Sequence, residues 1–265
     1  MTDLLAALLL GILEGLTEFL PISSTGHLLI AQHWLGARSD LFNIVIQAGA
    51  ILAVALVFRQ RLWALVTGLG ERENRDYLLK LAAAFGVTAA VGLPVRLMGW
   101  QLPETVSPVA LALILGGIWM LLAERVASRR PESSLITWKV AVLVGLAQVV
   151  AGVFPGTSRS AAAIFMAMLA GTGKRSAATE FVFLVGIPTM FAASGYALLE
   201  HFLGHGTTAS EAWGEMAVAF AAAAIMGFFV VRWLMGYIKQ HTYTPFAIYR
   251  IVLGIGLLLW LPAGG

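Results

Sequence analysis

The chain has 265 residues, 59% of them hydrophobic and only 12% charged, with a formal net charge of +3 and no cysteine. Soluble domains average about 45–50% apolar and about 25% charged residues, so the composition excludes an ordinary water-soluble domain, and the lack of cysteine excludes disulfides and thiolate metal sites. The apolar residues are bunched into uncharged runs such as 109–123 and 140–153, the pattern of an integral membrane protein.

In chain order, the first apolar stretch covers 4–35 and is broken in its middle by Glu14-Gly-Leu-Thr-Glu18-Phe-Leu-Pro21-Ile-Ser-Ser-Thr-Gly-His27. Asp3 is the only charge before Glu14, so the basic start of a cleavable signal peptide is lacking and the first helix is expected to stay. Long apolar helices follow at roughly 42–58, 78–99 and 108–124. A second broken stretch covers 137–172, with Phe154-Pro155-Gly156-Thr157-Ser158-Arg159-Ser160 at its centre. Three more helices are predicted at 177–199, 213–235 and 246–263. Each arm of the second broken stretch has only about half of the ~20 residues that span a bilayer. Short broken pairs suit re-entrant hairpins, which persist where protein or a wet cavity surrounds the loop. The expected fold is an all-α integral membrane protein with six transmembrane helices plus two re-entrant helical hairpins.

The placement of positive charge orients these helices. Arg59, Arg61, Arg72, Arg75 and Lys80 fall in a loop at 59–80, and Arg125, Arg129, Arg130 and Lys139 in one at 124–139. Lys174 and Arg175 fall in 173–176, Lys239 in 236–245, and Arg232 just before the latter. The opposite face, 36–41, 99–107 and 200–212, holds only Arg38, with Arg96 nearby in a helix end. Basic loops mark the cytoplasmic side, so the surplus charge reads as membrane orientation and not as a nucleic-acid patch.

An internal repeat emerges when the broken stretches are aligned. Pro155 stands 134 residues after Pro21 (155 − 21 = 134), and at that spacing Gly11 meets Gly145, Glu14 meets Gln148 and Ser24 meets Ser158. At spacings of 136 and 137, Val95-Arg96 resembles Val231-Arg232 and Ser107-Pro108 resembles Thr244-Pro245, and at the latter spacing Gly117 meets Gly254. Repeat 1 covers about 1–127 and repeat 2 about 135–265, within a single membrane domain over 1–265. Three spanning helices per half make the second copy inverted, an inverted-topology repeat with polar sites near the midplane.

The chemistry sits in the two interruptions. Glu14 and Glu18 are four apart, so a helix puts both carboxylates on one face. Such a pair either holds a divalent cation together with phosphate oxygens, or caps local backbone donors or faces solvent at a helix end. Ser23, Ser24, Thr25, Gly26 and His27 give three hydroxyls, a glycine and an imidazole, suited to an anion at a helix start or to an ordinary N-cap. Gly156, Thr157, Ser158 and Ser160 surround Arg159, which is flanked by uncharged stretches on both sides. A guanidinium at that depth needs a partner, either phosphate oxygens taken two at a time or Glu14 or Glu18. His33, His201, His205 and His241 lie near predicted interfaces and are not assigned a role. Small residues scattered along 177–199 and 213–235 leave a homodimer open.

Residues 14–27 resemble the first signature of the bacterial undecaprenyl-diphosphate phosphatase family linked to bacitracin resistance, and 155–160 its second. Val45–Val54, Glu180-Phe181 with Ile187-Pro188, and Pro245–Arg250 resemble further family segments, so the likeness covers nearly the whole chain. One departure is Ala163, where the family pattern has threonine. The resemblance implies removal of the terminal phosphate from a C55 isoprenyl diphosphate, recycling the cell-wall lipid carrier. It also implies a multi-pass protein of the bacterial plasma (inner) membrane, a site open to the outer face, and a divalent cation, Mg or Ca. Under it, Glu18, Ser24, His27 and Arg159 are the catalytic candidates. Ser24 is the nucleophile or the group that positions water, and His27 the base or leaving-group acid. Glu18 orients His27 or joins Glu14 on the metal, while Ser23, Thr25, Gly26, Gly156, Thr157, Ser158 and Ser160 bind phosphate. The rival reading is a transporter or flippase for the lipid carrier, since inverted repeats with broken helices also build transporters.

Overall fold

The computed structural model describes residues 3–98, 105–203 and 212–260. Most of the expected outer loops at 99–107 and 200–212, with His205, lie outside the described residues, as do the last residues of the helix expected at 246–263 and the side chain of Arg96. Among the described residues there are eleven helices and no strand. They are α1 (Asp3–Thr17), α2 (Ser24–Leu35), α3 (Asp40–Val57), α4 (Arg59–Thr67), α5 (Arg72–Leu97), α6 (Val106–Ala127), α7 (Trp138–Val153), α8 (Arg159–Ala170), α9 (Arg175–Phe202), α10 (Trp213–Tyr237) and α11 (Thr244–Trp260). Five of them, α3, α5, α6, α9 and α10, are long and apolar enough to cross a membrane.

Their outer faces agree with that. Leu111, Leu115, Ile118 and Leu122 form an exposed stripe on α6, and Ile225, Phe229 and Trp233 form one on α10. Spacings of three and four put each set on one helix face. Apolar area on this scale is foreign to a monomer in water and suits hydrocarbon. The chain is an all-helical, multi-pass membrane protein.

Two differences from the expected helix map concern the stretch 59–80. The sequence predicts a loop there, yet it carries α4 and the first turns of α5. Charge does not stop a helix when the side chains find partners at its rim. Arg61 pairs with Glu180 at 3.1 Å and lies 5.0 Å from the centre of the Tyr77 ring. Lys80 pairs with Asp76 one turn earlier on α5.

The broken stretches fold as helix–loop–helix pairs, α1/α2 and α7/α8, and both share one local design. Each second arm has twelve residues. It opens on a serine N-cap, Ser23 or Ser158, and closes on a left-handed glycine, Gly36 (φ 94°) or Gly171 (φ 135°). The caps are 135 residues apart (158 − 23 = 135). The spacing read from the prolines was one less, so Ser23, not Ser24, stands opposite Ser158.

Glycines seat the first arms against long helices. A Cβ on Gly11 would sit 2.2 Å from the Ala219 carbonyl oxygen of α10, and one on Gly15 would sit 2.4 Å from that of Ala223. A Cβ on Gly145 of α7 would sit 2.6 Å from the Ala84 oxygen of α5. Small residues allow such backbone approach where lipid supplies no hydrophobic drive. Thus α1 packs on α10 and α7 on α5, while α3 lies against α9 and α6 against α11. Exchanging α1 with α7, α3 with α9, α5 with α10 and α6 with α11 maps these pairings onto themselves. The small residues of α10 that left a dimer open are used here, inside the chain.

Candidate functional site

Both loops end on a serine in the left-handed region, Ser23 at φ 73° and Ser158 at φ 68°. Non-glycine residues avoid that region, at a cost of about 1–3 kcal/mol each. The side chains offset part of it. Ser23 Oγ accepts from the Gly26 N–H at 3.4 Å, and Ser158 Oγ accepts from the Ala161 N–H at 3.3 Å. Such capping contributes roughly 1 kcal/mol. The sharp turn brings the starts of α2 and α8 to one place.

The loops touch there. Ser160 Oγ donates to the Leu20 carbonyl at 3.2 Å and lies 3.1 Å from Ser158 Oγ. A cavity opens beside this contact, lined by Glu18, Ser23, Ser24 and Thr25 from the first hairpin and Ala151, Gly156, Ser158 and Arg159 from the second, with Gln47 of α3. Gly156 is required twice over: φ is 87°, and a Cβ would meet the Val109 carbonyl oxygen at 2.8 Å. Ser24 Oγ donates to Glu18 Oε2 at 2.5 Å. Arg159 makes no hydrogen bond and no ion pair among the described residues, so the structural pairing with Glu14 or Glu18 does not form. Two helix N-termini and an unpaired guanidinium therefore face one polar cavity, an arrangement that attracts a multiply charged anion.

A second cavity shares Glu18 and Arg159 with the first. Gln148 and Ser160 are its other polar members, and Phe19, Ile51, Val182, Phe183, Gly186 and Met190 complete it. Glu18 and Arg159 thus line both a polar chamber and a mostly apolar one. Ser160 belongs to the mostly apolar one.

The remaining predicted residues sit around this centre. Glu14 is fully buried one turn before Glu18, and neither of its oxygens receives a hydrogen bond. A buried carboxylate without donors is costly unless a proton or a cation offsets it; the donor set of the pair suits either a shared proton or a hard cation that takes one or two protein carboxylates beside phosphate oxygens. Among the described residues no group of three acidic, histidine or cysteine side chains gathers to hold one. Gly26 packs near Val109 and Leu113, and Thr157 turns its carbonyl to Arg250. His27 does not reach Glu18 or Ser24. Its Nδ1 bonds the Ser23 carbonyl at 2.7 Å and its Nε2 lies 2.8 Å from the Tyr249 hydroxyl. The carbonyl can only accept, so Nδ1 carries the proton and Tyr249 donates to Nε2.

Sequence reasoning passed over Gln47, Tyr249 and Arg250 as individual residues. The available signal was polarity inside an apolar helix: Gln47 is the lone amide between Ile44 and Phe58, and it has no hydrogen-bond partner among the described residues.

A family model described as bacitracin resistance protein BacA matches residues 7–256. An undecaprenyl-diphosphatase of Xanthomonas oryzae pv. oryzae (strain PXO99A) is 71% identical over 263 residues, covering 99% of each chain. One of Xanthomonas campestris pv. campestris (strain 8004) is 70% identical over 99% of this chain and 100% of that protein. One of Xylella fastidiosa (strain 9a5c) is 66% identical over 98% of this chain and 100% of that protein.

Proposed function

The chain belongs to the bacitracin resistance protein BacA family, and we infer that it is an undecaprenyl-diphosphatase: it hydrolyses undecaprenyl diphosphate to undecaprenyl phosphate and inorganic phosphate. The observation that carries the mechanism is the single polar cavity to which both loops contribute, with Ser24 held on Glu18 and Arg159 unpaired.

The terminal phosphate lies against Arg159 and the first N–H groups of α2 and α8. Phosphoryl transfer is catalysed chiefly by positioning and charge stabilisation, and these groups supply both. Ser24 Oγ attacks the terminal phosphorus while its proton passes to Glu18. The phosphorus–oxygen bond to the inner phosphate breaks, and undecaprenyl phosphate leaves. Water then cleaves the phosphoserine and releases inorganic phosphate. His27 supports the turn by holding the Ser23 carbonyl. A magnesium or calcium ion fits at Glu14 and Glu18, where it would offset the phosphate charge. The lipid tail stays among the apolar helix faces, starting from the mostly apolar residues beside Glu18 and Arg159.

The same reading sets the topology. Six helices span the membrane, α1/α2 and α7/α8 are re-entrant, and repeats over about 1–127 and 135–265 are inverted. The shared serine caps, closing glycines and exchangeable helix pairings support it. With the basic α4 rim cytoplasmic, the site opens to the outer face of the bacterial inner membrane.

The test uses purified protein in detergent, where nothing can be transported. It should release inorganic phosphate from undecaprenyl diphosphate. Substrate labelled in its terminal phosphate should leave label on the parent chain and none on Ser24→Ala. Full turnover by Ser24→Ala would remove Ser24 from the chemistry, and no phosphate release by the parent would remove the reaction.

A further inference from the structure

Arg250 of α11 is fully buried, yet no carboxylate pairs with it among the described residues. All five of its N–H groups go to backbone carbonyls. Nη1 donates to Thr157 at 2.9 Å and Pro21 at 3.4 Å. Nη2 donates to Gly156 at 2.9 Å and Ala112 at 3.1 Å. Nε donates to Leu113 at 3.4 Å. Three of these acceptors belong to the two re-entrant loops and two to α6. The space for the guanidinium exists because residue 116 is glycine: a Cβ there would meet Nη2 at 2.2 Å.

We propose that Arg250 is a positioning residue that fastens the two re-entrant loops to one another and so sets the geometry of the polar cavity, an inference that rests on the reaction assigned above. A residue that served the fold alone could spend its donors on α6, its own packing partner. Arg250 spends more than half of them on the residues just before the two serine caps. In a trans peptide the carbonyl and the next N–H point opposite ways. Fastening the Thr157 carbonyl therefore turns the Ser158 N–H away from Arg250, and Ser158 lines the cavity. The planar five-donor fork is what spans both loops at once. A lysine has three donors on a single nitrogen and cannot reproduce it.

The test separates position from fold and from charge. The chain has no cysteine, so Leu16→Cys with Phe154→Cys gives one spin-label pair, one label at each hairpin, on side chains that are 41% and 49% exposed. In this labelled parent the distance distribution should be narrow and phosphate release intact. Adding Arg250→Met should broaden the distribution and lower kcat about 100-fold, the scale expected of a misplacement of about 1 Å, in protein that remains monodisperse and helical. Arg250→Lys should match the methionine variant, and Gly116→Ala, which displaces the guanidinium without removing it, should shift both readings the same way. Recovery of kcat by lysine would show that charge alone matters and overturn the proposal. So would an unchanged distance distribution in the methionine variant, or a broadened one with full kcat. A parent that releases no phosphate would instead sink the assigned reaction, and the distance reading would still judge the fastening.

Discussion

The two hairpins share a backbone and divide the chemistry. Each turns on a left-handed serine and starts a twelve-residue helix at the same cavity. Register by register the side chains differ: the first residue of α2 is Ser24, and that of α8 is Arg159. In the last turn of the first arm lies Glu14, while the corresponding stretch of α7 has Gln148; both are buried and both lack hydrogen-bond partners among the described residues. A nearly identical scaffold thus presents a carboxylate and a hydroxyl from one side and a guanidinium from the other. Two copies of the first hairpin would set carboxylate against carboxylate and repel a diphosphate. In the proposed mechanism the difference between the copies makes the cavity reactive.

Substitutions in either hairpin test this division, and the largest effects belong to Glu18 and Arg159. Glu18→Gln removes the proton acceptor and should lower kcat by about 10²–10⁴-fold, measured as phosphate release at saturating substrate. Arg159→Ala removes the anion-binding cation and should lower kcat/KM by about 10²–10³-fold or more while the protein stays monodisperse in detergent. Retained turnover in either would break the proposed roles. Glu14→Gln copies the second hairpin into the first. It should weaken the apparent affinity for a divalent cation by about 10–100-fold, read from activity as the ion is titrated back after chelation. In the second hairpin, Gln148→Leu replaces an unsatisfied amide with an apolar side chain and should leave thermal stability within about 1 kcal/mol. Equal outcomes at the two positions would erase the contrast. The smallest effect is the one on which the hairpins should agree: Ser23→Gly and Ser158→Gly each lose a cap but relieve a strained φ, and both should shift stability by no more than about 1 kcal/mol.

Much of this was legible in the sequence because its cause is local. Proline, glycine and charge interrupt an apolar run, and the structure breaks there, with pairs at 3–35 and 138–170 where 4–35 and 137–172 were expected. Grouping Glu18, Ser23, Ser24 and Thr25 with Gly156, Ser158 and Arg159 followed from two polar clusters in one membrane body. What stayed hidden depends on distance along the chain or on orientation. His27 finds its partner 222 residues away, and Arg250 reaches Pro21 across 229; nothing local to 245–250 announces either contact. Arg72 and Arg75 read as loop because hydropathy registers charge and not the helical continuity that ion pairs at the rim permit. The one-residue slip in the repeat arose because prolines mark where a turn begins, whereas the serines decide where the next helix starts.

The sharing of Glu18 and Arg159 by both chambers also bears on inhibition. If headgroup and tail bind as proposed, a blocking compound needs a compact anionic head joined closely to a slender hydrocarbon. Bulk at the joint would meet Glu18 and Arg159, and a polar linker would lie among Phe183, Val182 and Met190.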